Sequence, residues 1–93
     1  MKYEILLADD DASIRLVLSK ALTRAGHTVK ATDNAETLLK WSTTGYGDII
    51  LTDVMMNGTE IFNYLPLISE NRPTIPIIII SANNTVNTAL KAG

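Results

Sequence analysis

The apolar residues of this chain fall into short runs that are separated by segments of helical periodicity. Residues 5–8, 49–51 and 77–80 are aliphatic without alternation, which is typical of parallel strands buried on both faces. Residues 28–32 alternate polar and apolar side chains, as a half-buried strand at the margin of a sheet does. The pattern therefore predicts three central strands and one edge strand.

Segments with a spacing of three or four residues lie between these strands. Apolar side chains recur at this spacing across residues 14–25, and Gly26 follows where a helix C-cap is expected. Asn34 is suited to cap a second helix, which carries Trp41 as a packing residue. These patterns predict the first two helices.

Two further helices are predicted in the second half of the chain. The third is marked by Ile61, Phe62, Leu65 and Ile68. Pro66 lies inside this pattern, so we expect a bend or the start of the helix near it. The fourth helix opens at Asn84 or Thr85 and runs through Ala92.

The order βαβαβαβα predicts an α/β fold. Right-handed crossovers place the helices on both faces of a doubly wound parallel sheet, and we expect the strand order 2-1-3-4. A full order of 2-1-3-4-5 requires a fifth strand, which these 93 residues do not supply. We therefore expect one domain over residues 1–93, cut short after the fourth helix.

Composition narrows the classes of function. Hydrophobic residues make up 46% of the chain, which is enough for a globular core, and a net charge of −2 with scattered cationic residues argues against direct nucleic-acid binding. The first apolar run is too short for a signal peptide or a membrane span. The chain is therefore interpreted as cytosolic, and the absence of cysteine is compatible with a reducing compartment.

Polar residues follow the predicted central strands at their carboxyl ends. Strand one leads into Asp9, Asp10 and Asp11, strand three into Asp53, and strand four into Ser81. In an open α/β sheet the ligand site lies beyond these ends. We expect the residues to form one acidic cleft.

Such a cleft suits Mg²⁺, which prefers oxygen ligands and relieves the repulsion between carboxylates. The cation also neutralises an incoming phosphoryl group, and a carboxylate can then act as the nucleophile and form an aspartyl phosphate. The hydroxyl of Ser81 can donate to a phosphoryl oxygen. The pattern indicates phosphoryl chemistry.

Simpler interpretations exist for each residue. Asp11 can cap helix one, Asp9 and Asp10 can be solvated turn residues, Asp53 can be a loop residue, and Ser81 can be a strand-end hydroxyl without a role. Solvated turn residues have no reason to collect at the same end of three buried strands. That coincidence favours a single site.

Three motifs give the chain a family resemblance. Residues 7–11 (LADDD), 50–56 (ILTDVMM) and 79–82 (IISA) are similar to the motifs of bacterial response-regulator receiver domains, and the resemblance covers the whole chain. The resemblance implies a flavodoxin-like fold and a signalling role. It implies no enzyme activity other than self-catalysed phosphoryl transfer and autodephosphorylation. Ser81 and Ala82 would bind the phosphoryl group and take part in switching.

The resemblance also implies the rest of the site. Asp53 is the phosphoacceptor for a sensor histidine kinase, and Mg²⁺ is the cofactor. Asp9 and Asp10 are the metal-binding pair, with Asp10 the more direct ligand. Asp53 and the main-chain carbonyl of Met55 complete the protein's share of the metal shell.

Finer features most resemble the receivers of NtrC-type regulators of nitrogen metabolism: residues 13–15, Trp41, residues 63–66 and residues 81–85. This implies a C-terminal output domain for transcription, of the AAA+ ATPase and helix-turn-helix type, and allows a homodimer. Two departures stand out. Asn57-Gly58 replaces the family's proline, and the conserved lysine and switch aromatic of the fifth strand are missing.

Two other functions compete with this interpretation. In a haloacid-dehalogenase-like phosphatase, Asp9 would be the nucleophile and Asp11 the acid/base, but no acidic residue follows Ser81. A receiver-like module could also bind partners without phosphorylation. The intact Asp9, Asp10, Asp53 and Ser81 argue against that degeneration.

Overall fold

The computed structural model describes residues 1–80 of the chain. In chain order its elements are β1 (Glu4–Ala8), α1 (Ala12–Arg24), β2 (Thr28–Thr32), α2 (Ala35–Thr43), β3 (Ile49–Asp53), β4 (Met55–Met56), β5 (Thr59–Glu60), a 3-10 helix (Ile61–Asn63), α3 (Leu65–Asn71) and β6 (Ile77–Ile80). The predicted fourth helix, Ser81 and Ala82 lie outside the described residues. Within the described part, none of the helices has the length and hydropathy to cross a bilayer.

The main sheet is parallel and has the strand order β2-β1-β3-β6. This confirms the predicted order 2-1-3-4, because β4 and β5 form a separate two-stranded sheet. The alternating strand β2 lies at one margin, as expected. Strand β6, predicted to be central, forms the other edge of the sheet within residues 1–80, and Ile78 is 49% exposed.

The core lies between the sheet and the helices α2 and α3. Its fully buried side chains include Leu6 and Ile50 from the central strands, Leu38 from α2 and Ile68 from α3. These aliphatic side chains remove apolar surface from water and thereby stabilise the fold. Helix α1 differs, since none of its residues is fully buried in the described structure.

Helix starts follow from local capping. The side chain of Asp11 accepts hydrogen bonds from the main-chain N–H groups of Ser13 and Ile14, so it is the N-cap of α1. Asn34 caps α2 by accepting from the N–H of Thr37 at 2.8 Å, as predicted. The hydrogen bonds to Ser13 and Ile14 also confirm the interpretation of Asp11 as a helix cap.

The predicted third helix is divided into two pieces. Residues 61–63 form only a 3-10 turn, and α3 begins at Leu65 with Pro66 in its first turn. Because proline has no N–H, it cannot donate within a continuous helix, but it is tolerated in a first turn where that donor has no partner. The expected start near Pro66 is confirmed, while the inclusion of Ile61 and Phe62 in the same helix was wrong.

The loop between α2 and β3 is held by close packing and by one arginine. Gly47 has φ +86°, and a Cβ added there would lie 2.5 Å from Leu6 Cγ. Arg72, beyond the end of α3, donates from Nη1 to the carbonyls of Ser42 (3.1 Å) and Tyr46 (3.0 Å), and from Nη2 to that of Gly47 (2.7 Å). The guanidinium therefore joins the end of α3 to the end of α2.

Candidate functional site

Three carboxylates meet at the carboxyl edge of the main sheet. Asp9 and Asp10 directly follow β1, and Asp53 is the last residue of the neighbouring strand β3. One carboxylate oxygen from each lies within 4.8 Å of the other two. The structure therefore brings together three of the four acidic residues that the sequence predicted to converge.

Asp9 is held firmly in this cluster. It is only 3% exposed, and its Oδ1 accepts from the N–H of Asp11 at 2.9 Å. Its main-chain carbonyl accepts from Arg15 Nη1 at 2.7 Å, and its N–H donates to the carbonyl of Thr32 at 3.1 Å. The orientation of Asp9 is set by contacts with α1 and with the end of β2.

Burial makes the cluster electrostatically unfavourable without a cation. Desolvation raises the pKa of Asp53, a hydrogen bond from the N–H of Val54 at 2.8 Å lowers it, and the charges of Asp9 and Asp10 raise it further. The pKa of Asp9 is likewise raised, first by burial and then by neighbouring carboxylates, against a hydrogen bond from Asp11 and the charge of Arg15. An oxygen-only, acidic donor set of this kind fits Mg²⁺.

A short β-hairpin begins at Met55, two residues after Asp53. Strands β4 and β5 pair antiparallel, Met55 with Glu60 and Met56 with Thr59, around a turn at residues 57–58. Asn57 and Gly58 have φ values of 51° and 79°, as a two-residue type I′ hairpin requires. Asparagine and glycine adopt such φ values more readily than most residues, whereas the hairpin's contacts with the site were not predicted from the sequence.

Those contacts are made by Asn57. Its main-chain N–H donates to Asp10 Oδ2 at 3.2 Å, and its side-chain Nδ2 donates to the carbonyl of Asp33 at 2.9 Å. Asp10 follows β1 and Asp33 follows β2, so the hairpin contacts the chain beyond the ends of both of these strands. The sequence signal for this arrangement was an Asn-Gly pair four residues after the acidic end of β3.

The other predicted site residues have different outcomes. Met55 lies in β4 with its side chain 49% exposed, and metal binding by its carbonyl stays a prediction. Asp11 uses its carboxylate to cap α1 and does not belong to the cluster. The phosphatase interpretation required Asp11 as an acid/base, and this capping role argues against it.

An open, largely apolar groove borders the carboxylates on the side of α1. Its lining residues are Asp9, Ser13, Ile14, Val17, Leu18, Asp53 and Ile80. Of the two carboxylates that border it, Asp53 is partly exposed, whereas Asp9 is buried.

A parallel sheet of this strand order with three carboxylates at its carboxyl edge is the arrangement of a signalling receiver. Residues 5–93 match the family of response regulator receiver domains, and the chain belongs to this family. The resemblance inferred from the three motifs is thus confirmed.

Curated relatives place the chain near one group of regulators. It is 51% identical over 88 residues to the DNA-binding transcriptional regulator NtrC of Rhizobium meliloti (strain 1021), covering 95% of this chain and 18% of that protein. The NtrC of Escherichia coli (strain K12) is 33% identical over 95% of the chain and 19% of its own length. The chain thus spans about a fifth of these relatives, and its resemblance to NtrC-type receivers is confirmed.

Solved structures agree with the fold. A structure described as a transiently phosphorylated "switch" in bacterial signal transduction matches with a TM-score of 0.81 and 32% identity, over 100% of this chain and 76% of that one. NtrX of Brucella abortus, in complex with ADP, matches with a TM-score of 0.87 and 25% identity, over 99% of this chain and 21% of that one. The predicted receiver fold is confirmed.

Proposed function

We propose that this receiver accepts a phosphoryl group on Asp53 in a Mg²⁺-dependent reaction. The observation that carries the proposal is the cluster of Asp9, Asp10 and Asp53, with oxygens within 4.8 Å of one another, in a chain of the receiver family. Asp9, Asp10, Asp53 and the carbonyl of Met55 would hold the cation. Bound there, Mg²⁺ supplies positive charge that neutralises the phosphoryl oxygens.

The surroundings of each carboxylate favour Asp53 as the nucleophile. Asp9 is buried and accepts from the N–H of Asp11, while Asp11 itself caps α1. Asp53 ends a central strand and is only partly buried, and its Oδ1 is oriented by the N–H of Val54. A carboxylate oxygen of Asp53 attacks phosphorus, the bond from phosphorus to the donor's nitrogen or oxygen breaks, and an aspartyl phosphate forms.

Phosphate labelling tests the proposal. The full chain is incubated with Mg²⁺ and acetyl phosphate, and the modified residue is located by mass spectrometry. We expect the label on Asp53, and Asp53→Asn should abolish it while Asp48→Asn, a distant change of the same charge, should not. Hydroxylamine-sensitive phosphate on Asp9 or Asp11 would instead support the phosphatase.

The proposed partners follow from the family and the relatives. A sensor histidine kinase is the expected phosphodonor, and the NtrC relatives support a transcriptional output domain that the phosphorylated receiver would control. An AAA+ ATPase and helix-turn-helix output, a homodimer and a cytoplasmic location stay predictions. So do the roles of Ser81 and Ala82 in phosphoryl binding and the expectation that residues 1–93 are only part of the receiver.

Binding without phosphorylation is the second candidate function, and the three clustered carboxylates argue against it. Beryllofluoride with Mg²⁺ imitates the phosphoryl group and separates the two. An active cleft should bind it and shift the amide resonances of residues near Asp53. A degenerate cleft should leave the spectrum unchanged.

A further inference from the structure

The hairpin that follows β3 is connected to the ends of two other strands through a single residue. The N–H of Asn57 reaches Asp10 Oδ2, beyond β1, at 3.2 Å, and its Nδ2 reaches the carbonyl of Asp33, beyond β2, at 2.9 Å. Since β1 lies between β2 and β3 in the sheet, Asn57 spans the carboxyl ends of three adjacent strands. Its position relative to Asp10 is therefore set by β2 as well as by its own hairpin.

Few residue types can occupy this position. A φ of 51° at Asn57, followed by 79° at Gly58, belongs to the left-handed region, which asparagine tolerates better than most residues. Proline has no N–H and a φ near −65°, so it could make neither hydrogen bond. The two contacts thus depend on the residue by which this chain departs from the family's usual proline.

We infer that Asn57 is a positioning residue for the divalent-cation site. Asp10 is exposed, so its carboxylate would lose rotamer freedom when it binds a cation. The side-chain hydrogen bond to Asp33 fixes the hairpin, and the main-chain N–H then holds Asp10 beside Asp9 and Asp53. Orienting a ligand before binding reduces the entropy lost on binding and raises affinity.

The N–H of Asn57 also places a partial positive charge against Asp10. This offsets part of the repulsion among three carboxylates whose oxygens lie within 4.8 Å. Both effects act on the metal site that the proposed function requires, and the inference rests on that function. Neither effect needs the Asn57 side chain to touch the cation.

Asn57→Gly tests the inference in the full chain. Glycine readily adopts positive φ and retains the N–H, so the variant removes the hydrogen bond to Asp33 and keeps the donor to Asp10, although it also makes the turn more flexible. If that bond contributes in the usual range for a hydrogen bond, the affinity for Mg²⁺ should fall about fivefold. The affinity is measured by following amide resonances during a Mg²⁺ titration.

A matched control is available on α3. Asn71 Nδ2 donates to the carbonyl of Leu67 at 3.1 Å, so Asn71→Ala removes a similar amide-to-carbonyl bond away from the site. We expect Asn71→Ala to bind Mg²⁺ like the parent, even where it melts at a lower temperature. A purely structural role for Asn57 would lower the melting temperature and leave the Mg²⁺ affinity unchanged.

A second measurement probes the N–H directly. Without Mg²⁺, Asp10→Ala should shift the amide proton resonance of Asn57, because its acceptor is removed. The inference is overturned if that resonance does not move, if Asn57→Gly binds Mg²⁺ like the parent, or if Asn71→Ala loses as much affinity. Failure of the parent itself to bind Mg²⁺ would refute the proposed metal site, and this inference with it.

Discussion

Replacing Asp53 by asparagine should stabilise the metal-free domain at neutral pH. Asparagine has nearly the same shape, and its Oδ1 can still accept the 2.8 Å hydrogen bond from the N–H of Val54. What it removes is one of three negative charges in a partly buried cluster. The variant should therefore fold more stably although it cannot be phosphorylated at this position.

The size of the effect follows from the geometry. At the 4.8 Å separation that bounds the cluster, two like charges repel by about 0.9 kcal/mol in water and about 3.5 kcal/mol at an effective dielectric constant of about 20. The repulsion between Asp53 and the exposed Asp10 should be close to the value in water. The repulsion between Asp53 and the buried Asp9 should lie between the two values. After screening by salt, we expect the free energy of unfolding to rise by about 2 kcal/mol.

The pH dependence has a definite sign. Burial and neighbouring charges raise the folded-state pKa values of Asp9 and Asp53 above the usual 3.8. At a pH between the unfolded-state pKa and the raised folded-state pKa, the folded protein therefore binds more protons than the unfolded chain does. Stability must therefore fall as pH rises through this window. Asp53→Asn removes the contribution of Asp53, so its advantage should be largest at neutral pH and disappear below about pH 4.

Urea unfolding of the full chain, followed by Trp41 fluorescence with and without Mg²⁺, measures these differences. Saturating Mg²⁺ should reverse the order, because a ligand at 100 times its Kd stabilises the parent by about 2.7 kcal/mol. Asp48→Asn is the control, because it makes the same charge change away from the cluster. Asp48 directly precedes β3, and its Oδ2 accepts a hydrogen bond from the N–H of Glu4 at the start of β1. Equal stabilisation by both substitutions, or none by Asp53→Asn, would refute the reasoning.

Substitutions at three further positions test the packing and capping. Gly47→Ala should destabilise the domain by about 2–4 kcal/mol in urea unfolding, since the new Cβ would meet Leu6 at 2.5 Å with φ at +86°; a loss below about 1 kcal/mol would mean that the loop moves away freely. Arg72→Met should cost about 2 kcal/mol by the same assay, because three carbonyls lose a charged donor, and unchanged stability would show that water replaces the guanidinium. Asp11→Ala should lower the free energy of unfolding by about 1 kcal/mol, and Asp11→Ser should retain most of that stability because serine also caps helices. Both variants should still be phosphorylated on Asp53. Loss of labelling in both would implicate Asp11 in the chemistry.

The fold was predictable because its signals are local. Strands buried on both faces need continuous aliphatic runs, so residues 5–8 and 49–51 identify central strands, and the alternation of residues 28–32 identifies the edge strand that the structure shows. The convergence of Asp9, Asp10 and Asp53 followed from the same logic, since parallel strands end at one edge. Their carboxylate oxygens do lie within 4.8 Å of one another, whereas their roles in metal binding and phosphorylation stay predictions.

For other features the sequence allowed more than one structural interpretation. Asp11 could be a cap or a member of the site, and only the hydrogen bonds to Ser13 and Ile14 decide that it caps α1. The extent of the third helix was wrong at its start, because the apolar spacing at Ile61 suits a 3-10 turn as well as an α-helix. Local patterns cannot distinguish conformations that place the same side chains against the core.

Contacts between distant segments were decided by the tertiary structure alone. Asn57 meets Asp10 and Asp33 because β1, β2 and β3 end side by side, and no spacing along the chain encodes that distance. The approach of Gly47 to Leu6 depends in the same way on how the loop before β3 packs against β1. The sequence by itself determined which segments form strands and where the strands end. The relative placement of those ends, which is set by sheet order and register, determined which polar groups touch.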